Sequence, residues 1–198
     1  MGKRVFDLLG AAVALALLWP LFIAIALWIK LDSPGPVFFR QQRVGRQGRP
    51  FAIHKFRTMV ADAPARGLQL TVGDDPRITR AGAFLRRSKL DELAQLIDVL
   101  AGDMSLVGPR PELPAYLARV PPALRDAVLA VRPGITDPVS LDFADESALL
   151  ARTADPEREY VEVMLPQKLR AAAAYAARAT LWTDLRVIAR TLRLLARR

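Results

Sequence analysis

The chain has no cysteine and a single histidine, His54. The first absence excludes disulfides, thiolate nucleophiles and cysteine-ligated metals, and it suits a reducing compartment. The second removes the common polyhistidine metal sites. Neither an internal repeat nor a low-complexity linker is present. The middle of the chain also lacks a surplus of positive charge. The formal charge is +9, but residues 1–60 hold nine basic side chains against two acids, and residues 184–198 hold five arginines against one acid. Residues 61–183 therefore carry a net charge of −2. A protein that tracks a phosphodiester backbone needs a basic stripe across its folded body, whereas here the surplus sits beside the most apolar ends. That distribution argues against nucleic acid and for an anionic membrane surface.

What is present is 52% apolar and 25% charged, over 198 residues, enough for one domain with a buried core. Leu8 to Ile29 is a run of 22 residues without a charge, bounded by Lys3, Arg4 and Asp7 before it and by Lys30 and Asp32 after it. Its length suits a bilayer span and exceeds a signal-peptide core. Positive charge favours the cytoplasm, and here it flanks both ends. Pro20, beside Trp19, lies near the middle and lacks an N–H, so the segment reads either as a re-entrant helix broken at Pro20 or as a kinked span.

After the turn Asp32-Ser33-Pro34-Gly35-Pro36, two short strands are predicted, from Val37 and from Phe51, around a glycine-containing turn. Alternation on the second puts Lys55 and Arg57 on one face, either as a phosphate clamp or as a solvated edge. Residues 60–80 read as loop. Ser88-Lys89-Leu90-Asp91 fits an N-cap with an acid three residues on, opening a helix that carries Leu90, Leu93, Leu96, Ile97 and Leu100 and ends at Gly102. Asp91 and Glu92 then fall in a first turn, where the helix dipole holds a carboxylate ionised and free N–H groups attract phosphate; taken alone, the pair reads first as ordinary capping.

Arg110 lies between Pro109 and Pro111, which restrict its backbone and aim its guanidinium. Such a fork grips phosphate or braces a loop. A short helix is expected over 121–131, and a long one over Glu157–Ala179 with an interruption at Pro166. Asp184–Arg198 forms a basic amphipathic helix, with Leu185, Ile188, Ala189, Leu192 and Leu195 on one stripe, suited to anionic lipid or to packing on the domain.

Several segments together resemble the bacterial sugar transferases of the monotopic phosphoglycosyl transferase type. They are Lys3-Arg4-x-Phe6-Asp7 before the apolar run with Pro20, Ser33-Pro34-Gly35-Pro36-Val37-Phe38-Phe39-x-Gln41-x-Arg43-Val44-Gly45, and Lys55-Phe56-Arg57-Thr58-Met59. Further along come Arg77-Ile78-Thr79-Arg80-x-Gly82-x-Phe84-Leu85-Arg86, Leu90-Asp91-Glu92-Leu93-x-Gln95-Leu96, Gly102 through Pro111, and Arg132-Pro133-Gly134-Ile135-Thr136. Any one is weak evidence; seven in family order and at family spacing are not.

The resemblance implies transfer of a sugar 1-phosphate from a nucleotide diphosphate sugar, usually UDP-linked, to polyprenol phosphate. The reaction would pass through a covalent phosphosugar-aspartate with Mg²⁺. Residue by residue it makes Asp91 the nucleophile, Glu92 a metal ligand or orienting partner, and Arg110 a phosphate binder, with Lys55, Arg57 and Arg86 as further candidates. The implied fold is α+β and helix-rich: a re-entrant membrane helix over residues 1–32 broken at Pro20, then a compact catalytic domain over 33–198 with short strands and interfacial amphipathic helices. The expected location is the bacterial inner membrane, monotopic, with the catalytic domain on the cytoplasmic face, and the expected form is the minimal catalytic one. Two departures stand out: Trp19 where the family often has Ser before the proline, and Asp137-Pro138-Val139-Ser140 where many members continue with Gly and an aromatic-x-Gln stretch. The competing reading is a non-catalytic peripheral membrane scaffold in which the same acids and arginines cap and brace. Donor sugar, nucleotide base, lipid length and oligomeric state are not legible in the sequence.

Overall fold

The computed structural model describes residues 2–66, 71, 75–139 and 149–196. It is helix-rich α+β, with one long apolar N-terminal helix and short strands. Parts of the expected loop over 60–80, residue Ser140 and the last two residues of the expected C-terminal helix lie outside the described residues.

Helix α1 runs from Gly2 to Asp32, 31 residues and about 46 Å long. The helical path continues through Pro20, so the expected break is not seen. Packing accounts for this. Ala11, Ala14, Leu15 and Leu18 press on Phe51, Ile53, Leu96, Val99 and Met104, while Leu21, Phe22, Ile25 and Ile29 press on Phe56, Leu85 and Ala94. The same face is therefore docked on both sides of the proline, which offsets the hydrogen bond and close contact a proline costs inside a helix. Buried isoleucines such as Ile25 and Ile29 contribute roughly 1.5–3 kcal/mol each. The opposite face, with Val5, Leu9, Val13, Leu17, Trp19, Ile23, Leu27 and Leu31, is exposed and apolar.

Polar contacts fasten both ends of α1. The buried Asp7 carboxylate accepts from the Ser105 hydroxyl at 3.0 and 2.9 Å and from the Leu106 N–H at 3.1 Å. Lys3 pairs with Asp184, which also accepts from the Tyr175 hydroxyl. Arg4 donates to the carbonyls of Val99 and Met104. At the other end, Arg57 donates to the carbonyls of Ser33 and Pro34 at 2.7 Å each.

Strands β1 (Phe38–Val44) and β2 (Pro50–Phe56) form an antiparallel hairpin, with Phe38 opposite Phe56 and Arg43 opposite Phe51. Helix α2 (Arg80–Ser88) starts at Thr79, whose hydroxyl accepts from the Gly82 N–H at 3.0 Å. Here the structure corrects the sequence reading. Ser88 does not open a helix; it closes α2, donating back to the Phe84 carbonyl at 2.8 Å. Lys89 then turns left-handed at φ 59°, and Leu90–Gln95 is a 3-10 segment leading into α3 (Leu96–Ala101). The single helix expected between Ser88 and Gly102 is thus a 3-10 turn followed by a short α-helix, and the left-handed Lys89 separates it from α2.

Strand β3 (Ser105–Val107) pairs parallel with β4 (Gly134–Thr136), across α4 (Pro114–Leu117) and α5 (Pro122–Leu129). Helix α6 (Pro156–Glu159) passes through a π-helical turn, Tyr160–Met164, into α7 (Leu165–Arg178), so Pro166 follows a widened turn instead of ending the helix. Helix α8 (Leu181–Ala196) turns Asp184 and Val187 inward and leaves Leu185, Ala189 and Leu192 exposed.

Candidate active site

The 3-10 segment presents Asp91 and Glu92 beside β2 and the Pro109-Arg110-Pro111 loop. Lys55, on β2, donates to Glu92 Oε1 at 2.8 Å, and Arg110 Nη2 donates to the same oxygen at 3.0 Å. Three of the residues singled out in the sequence, 37 and 18 positions apart, therefore meet at one atom.

Backbone contacts hold the Arg110 loop. Gly134 N–H donates to the Pro109 carbonyl at 2.9 Å, Gly108 N–H to the Thr136 carbonyl at 3.1 Å, and Val44 N–H to the Glu112 carbonyl at 3.1 Å. Chains approach so closely here that a Cβ on Gly134 would lie 2.0 Å from the Gly108 nitrogen. Glycine in both loops is thus a requirement of backbone contact. Arg43 adds a bond from Nη1 to the Pro111 carbonyl at 3.0 Å and another from Nη2 to Gln41 Oε1 at 2.6 Å.

Electrostatics separate the two acids. Burial pushes the Asp91 carboxyl above the usual carboxylate value; Lys55 opposes that shift and the Glu92 charge adds to it. Burial also works against ionised Glu92, but Arg110 and Lys55 outweigh it and hold this carboxyl well below its usual value. Burial lowers the Lys55 ammonium, against the pull of Glu92. Asp91 thus sits in a 3-10 turn and not in the first turn of an α-helix, with burial raising its carboxyl while Arg110 and Lys55 lower that of Glu92.

Among the described residues there is no cluster of three or more acidic, histidine or cysteine ligands. Asp91 Oδ1, however, is buried without a hydrogen-bond partner, and Lys55 and Arg110 both take Oε1 of Glu92. An orphan carboxylate oxygen beside a second carboxylate fits Mg²⁺, which commonly takes one or two protein carboxylates and completes its shell with water and substrate phosphate.

The remaining candidates divide. Arg86, half-buried on α2, contributes a charge that acts on Asp91 together with Lys89. Arg57 does not join the cluster, because β2 ends at Phe56 and the alternation breaks there. Its buried guanidinium instead binds Ser33, Pro34 and the end of α1. Trp19 and Pro20 lie at the middle of α1, with Trp19 exposed.

Other residues at the site were not singled out from the sequence. His54 Nδ1 lies 2.6 Å from Asp98 Oδ1, and the His54 backbone N–H donates to Asp98 Oδ2 at 2.9 Å. These bonds pin β2 to α3 and set the neighbouring Lys55 opposite Glu92. Gln95 is buried in the same 3-10 segment as Asp91, and its Nε2 also lacks a partner. The identity of His54 as the lone histidine was a signal for the first pair; nothing local marked Asp98.

Residues 1–198 match the family model described as bacterial sugar transferase. The chain belongs to the bacterial sugar transferase family. A UDP-glucose:undecaprenyl-phosphate glucose-1-phosphate transferase of Caulobacter vibrioides is 42% identical over 193 residues, 96% of this chain and 67% of the relative. One of the same name from Xanthomonas campestris pv. campestris is 40% identical over 194 residues, 96% of this chain and 38% of that protein. A UDP-N-acetylgalactosamine-undecaprenyl-phosphate N-acetylgalactosaminephosphotransferase of Aeromonas hydrophila is 50% identical over 110 residues, 56% of this chain and 26% of the relative. The chain thus spans from about a quarter to two thirds of the length of these bacterial sugar transferases.

Proposed function

We propose that the chain transfers a sugar 1-phosphate from a UDP-sugar to a polyprenol phosphate, undecaprenyl phosphate being the acceptor named for its relatives. The observation that carries this reading is the convergence of Lys55 and Arg110 on Glu92 beside the buried Asp91, inside a chain matched end to end by the family. In the first step an ionised Asp91 oxygen attacks the phosphorus that bears the sugar. The bond from that phosphorus to the bridging oxygen breaks and UMP leaves with the electron pair. In the second, an oxygen of the lipid phosphate attacks the same phosphorus, Asp91 is released as carboxylate, and the product is a polyprenyl diphosphate sugar.

Lys55 and Arg110 offer ammonium and guanidinium charge to the phosphates, and Glu92 holds both in place. The low pKa of Glu92 keeps that anchor ionised, while the raised pKa of Asp91 makes it a more basic nucleophile than an exposed carboxylate. Mg²⁺, held by Asp91 with Glu92, would neutralise the diphosphate and assist departure of UMP. The fixed fork of Arg110 suits a phosphate group better than a lysine would.

The reading includes a monotopic placement, both ends of α1 on the cytoplasmic side of the inner membrane. Supporting it are the exposed apolar face of α1, basic residues flanking both ends, and a body docked along the whole helix, which leaves no free length to cross a bilayer. The exposed Trp28 and Trp182 suit headgroup depth, and the Leu185-Ala189-Leu192 stripe of α8, with Arg186, Arg190 and Arg193, suits anionic lipid.

The test is to incubate the protein with a UDP-sugar, Mg²⁺ and undecaprenyl phosphate, follow UMP, and trap the intermediate by acid quench. A peptide containing Asp91 that gains the mass of a sugar phosphate supports the reading. UMP release undiminished in an Asp91→Asn variant overturns it.

A further inference from the structure

Helix α2 carries an exposed stripe that the carboxylate site does not use. Its inner face is fixed by the buried Ala81, Gly82 and Leu85, with Gly82 so close to the chain leaving β2 that a Cβ would lie 1.9 Å from the Thr58 carbonyl oxygen. Arg80, Phe84 and Arg87, at helical spacing, are all exposed. The Phe84 ring lies 5.3 Å from the ring of Trp28 on α1, and the two residues are 42% and 41% exposed. Through this pair the apolar outer face of α1, with Ile23, Leu27 and Leu31, continues onto α2. At its C-terminal end α2 leads to the exposed Lys89, two residues before Asp91. We propose that this corner receives the acceptor, with the phosphate of the polyprenol phosphate on Lys89 and Arg87 and its hydrocarbon chain on Phe84 and Trp28. The inference rests on the transferase reading above and adds to it the residues that take the second substrate.

Three observations carry it. First, these cations are uncommitted. Neither Arg87 nor Lys89 has a hydrogen bond or ion pair among the described residues, whereas Lys55 and Arg110 both bind Glu92. Uncommitted cations at the edge of an apolar surface match a ligand that is a phosphate on a hydrocarbon chain, and rigid aromatic rings give that chain a surface.

Second, the corner is joined to the chemistry. Lys89, left-handed at φ 59°, is the joint between α2 and the segment that bears Asp91. The charges of Lys89 and Arg86 act on Asp91, while the cations acting on Glu92 are Arg110 and Lys55. A headgroup that merely anchors the protein needs no such proximity. The acceptor does, because an oxygen of its phosphate must reach the phosphorus carried by Asp91.

Third, the two substrates arrive from different phases. The donor is water-soluble, and Lys55 and Arg110 come from β2 and the Pro109-Arg110-Pro111 loop. The acceptor arrives from the bilayer, and Arg87 and Lys89 belong to the element that extends the lipid-facing surface of α1.

The experiment uses the full-length protein in detergent. Wild type is first given UDP-glucose, UDP-galactose and their N-acetylhexosamine counterparts with undecaprenyl phosphate, and the donor yielding most UMP is chosen. Wild type, Lys89→Asn, Lys89→Arg and Phe84→Ala are then compared; asparagine tolerates the left-handed backbone, and arginine restores the charge. Because the substrates react in separate steps, kcat/KM for each reports its own half-reaction. Expected for Lys89→Asn is a fall of about tenfold or more in kcat/KM for undecaprenyl phosphate, with kcat/KM for the donor within about twofold of wild type and the loss largely recovered in Lys89→Arg. Phe84→Ala should also lower kcat/KM for undecaprenyl phosphate and spare the donor. Equal loss for donor and acceptor in a Lys89→Asn variant that melts like wild type overturns the proposal, because Lys89 would then serve the donor or Asp91 itself. Weaker binding to phosphatidylglycerol vesicles with acceptor kcat/KM unchanged also overturns it, since the corner would be a phospholipid anchor. A folded Phe84→Ala variant with wild-type acceptor kcat/KM overturns the placement of the chain. UMP release by wild type leaves the transferase reading standing in each case; no UMP from any donor strikes that reading and this inference together.

Discussion

Lys55 Nζ and Arg110 Nη2 bind the same oxygen of Glu92, at 2.8 and 3.0 Å, so one carboxylate joins a cation of β2 to a cation of the Pro109-Arg110-Pro111 loop. Removing its charge affects more than one bond. Glu92→Gln should lower kcat by about 10²-fold or more and cost about 1–3 kcal/mol of stability at neutral pH, because the largely enclosed Lys55 loses its counter-charge and the more exposed Arg110 loses one partner. Steady-state UMP release and chemical denaturation of the purified variant measure the two effects. A Glu92→Gln enzyme with wild-type kcat would show that the cations are held by something else.

The folded pKa of Glu92 lies well below its unfolded value, so its contribution to stability is fully present above the usual glutamate range and is lost as pH falls through the lowered folded value. The stability gap between wild type and Glu92→Gln should therefore be constant near neutrality and close in acid. Melting curves from pH 7 downward test this.

Asp91 has the opposite sign. Its folded pKa is raised, chiefly by burial, so ionising it at neutral pH costs stability. Asp91→Asn should abolish turnover, by about 10⁴-fold or more, while melting at or above the wild-type temperature at pH 7. The advantage of the variant should vanish in acid, where wild-type Asp91 is protonated. For the same reason the acid limb of the wild-type activity profile should lie above the pH at which an exposed aspartate titrates.

The absence of native cysteine makes topology measurable with single replacements. Cysteines placed at Gly2 and Gln42, both exposed and on either side of the apolar run, should be labelled from the same side of sealed inverted vesicles. Labelling from opposite sides would mean that α1 crosses the bilayer.

Arg57 supplies a contrast with Lys55. Arg57→Gln should leave the Glu92 cluster intact but loosen the joint after α1, since its guanidinium holds the Ser33 and Pro34 carbonyls. A destabilisation of about 1–3 kcal/mol with KM for the donor unchanged is expected. Gly35→Ala at the same joint should be at least as damaging, because Gly35 has φ +122° and a Cβ there would meet the Arg57 guanidinium.

The contrast between these two basic residues shows where the sequence was legible. Lys55, the Asp91-Glu92 pair and Arg110 were marked by motif, and the structure brings them together. Alternation assigned Arg57 to the same face as Lys55, but alternation holds only while the strand continues, and β2 stops at Phe56. Ser88 failed for a related reason. Its spacing from Asp91 matches a cap, yet a serine hydroxyl can equally bond the carbonyl four residues behind it, and the left-handed Lys89 decides the outcome. The uniform apolarity of α1 hid which of its faces docks, because that choice is made by partners such as Phe51, Leu85 and Met104 elsewhere in the chain. Asp98 with His54, 44 positions apart, had no local signature.

The bond between Lys3 and Asp184 joins residues 181 positions apart. During synthesis at about 5–20 residues per second, the first helix leaves the ribosome roughly 10–40 s before the aspartate that will fasten it. The buried apolar partners of α1 all lie between Phe51 and Met104, and those of Asp7 are Ser105 and Leu106, so that seam can close while the C-terminal helix is still being made. The Lys3–Asp184 pair is then a late fastening on a helix already docked.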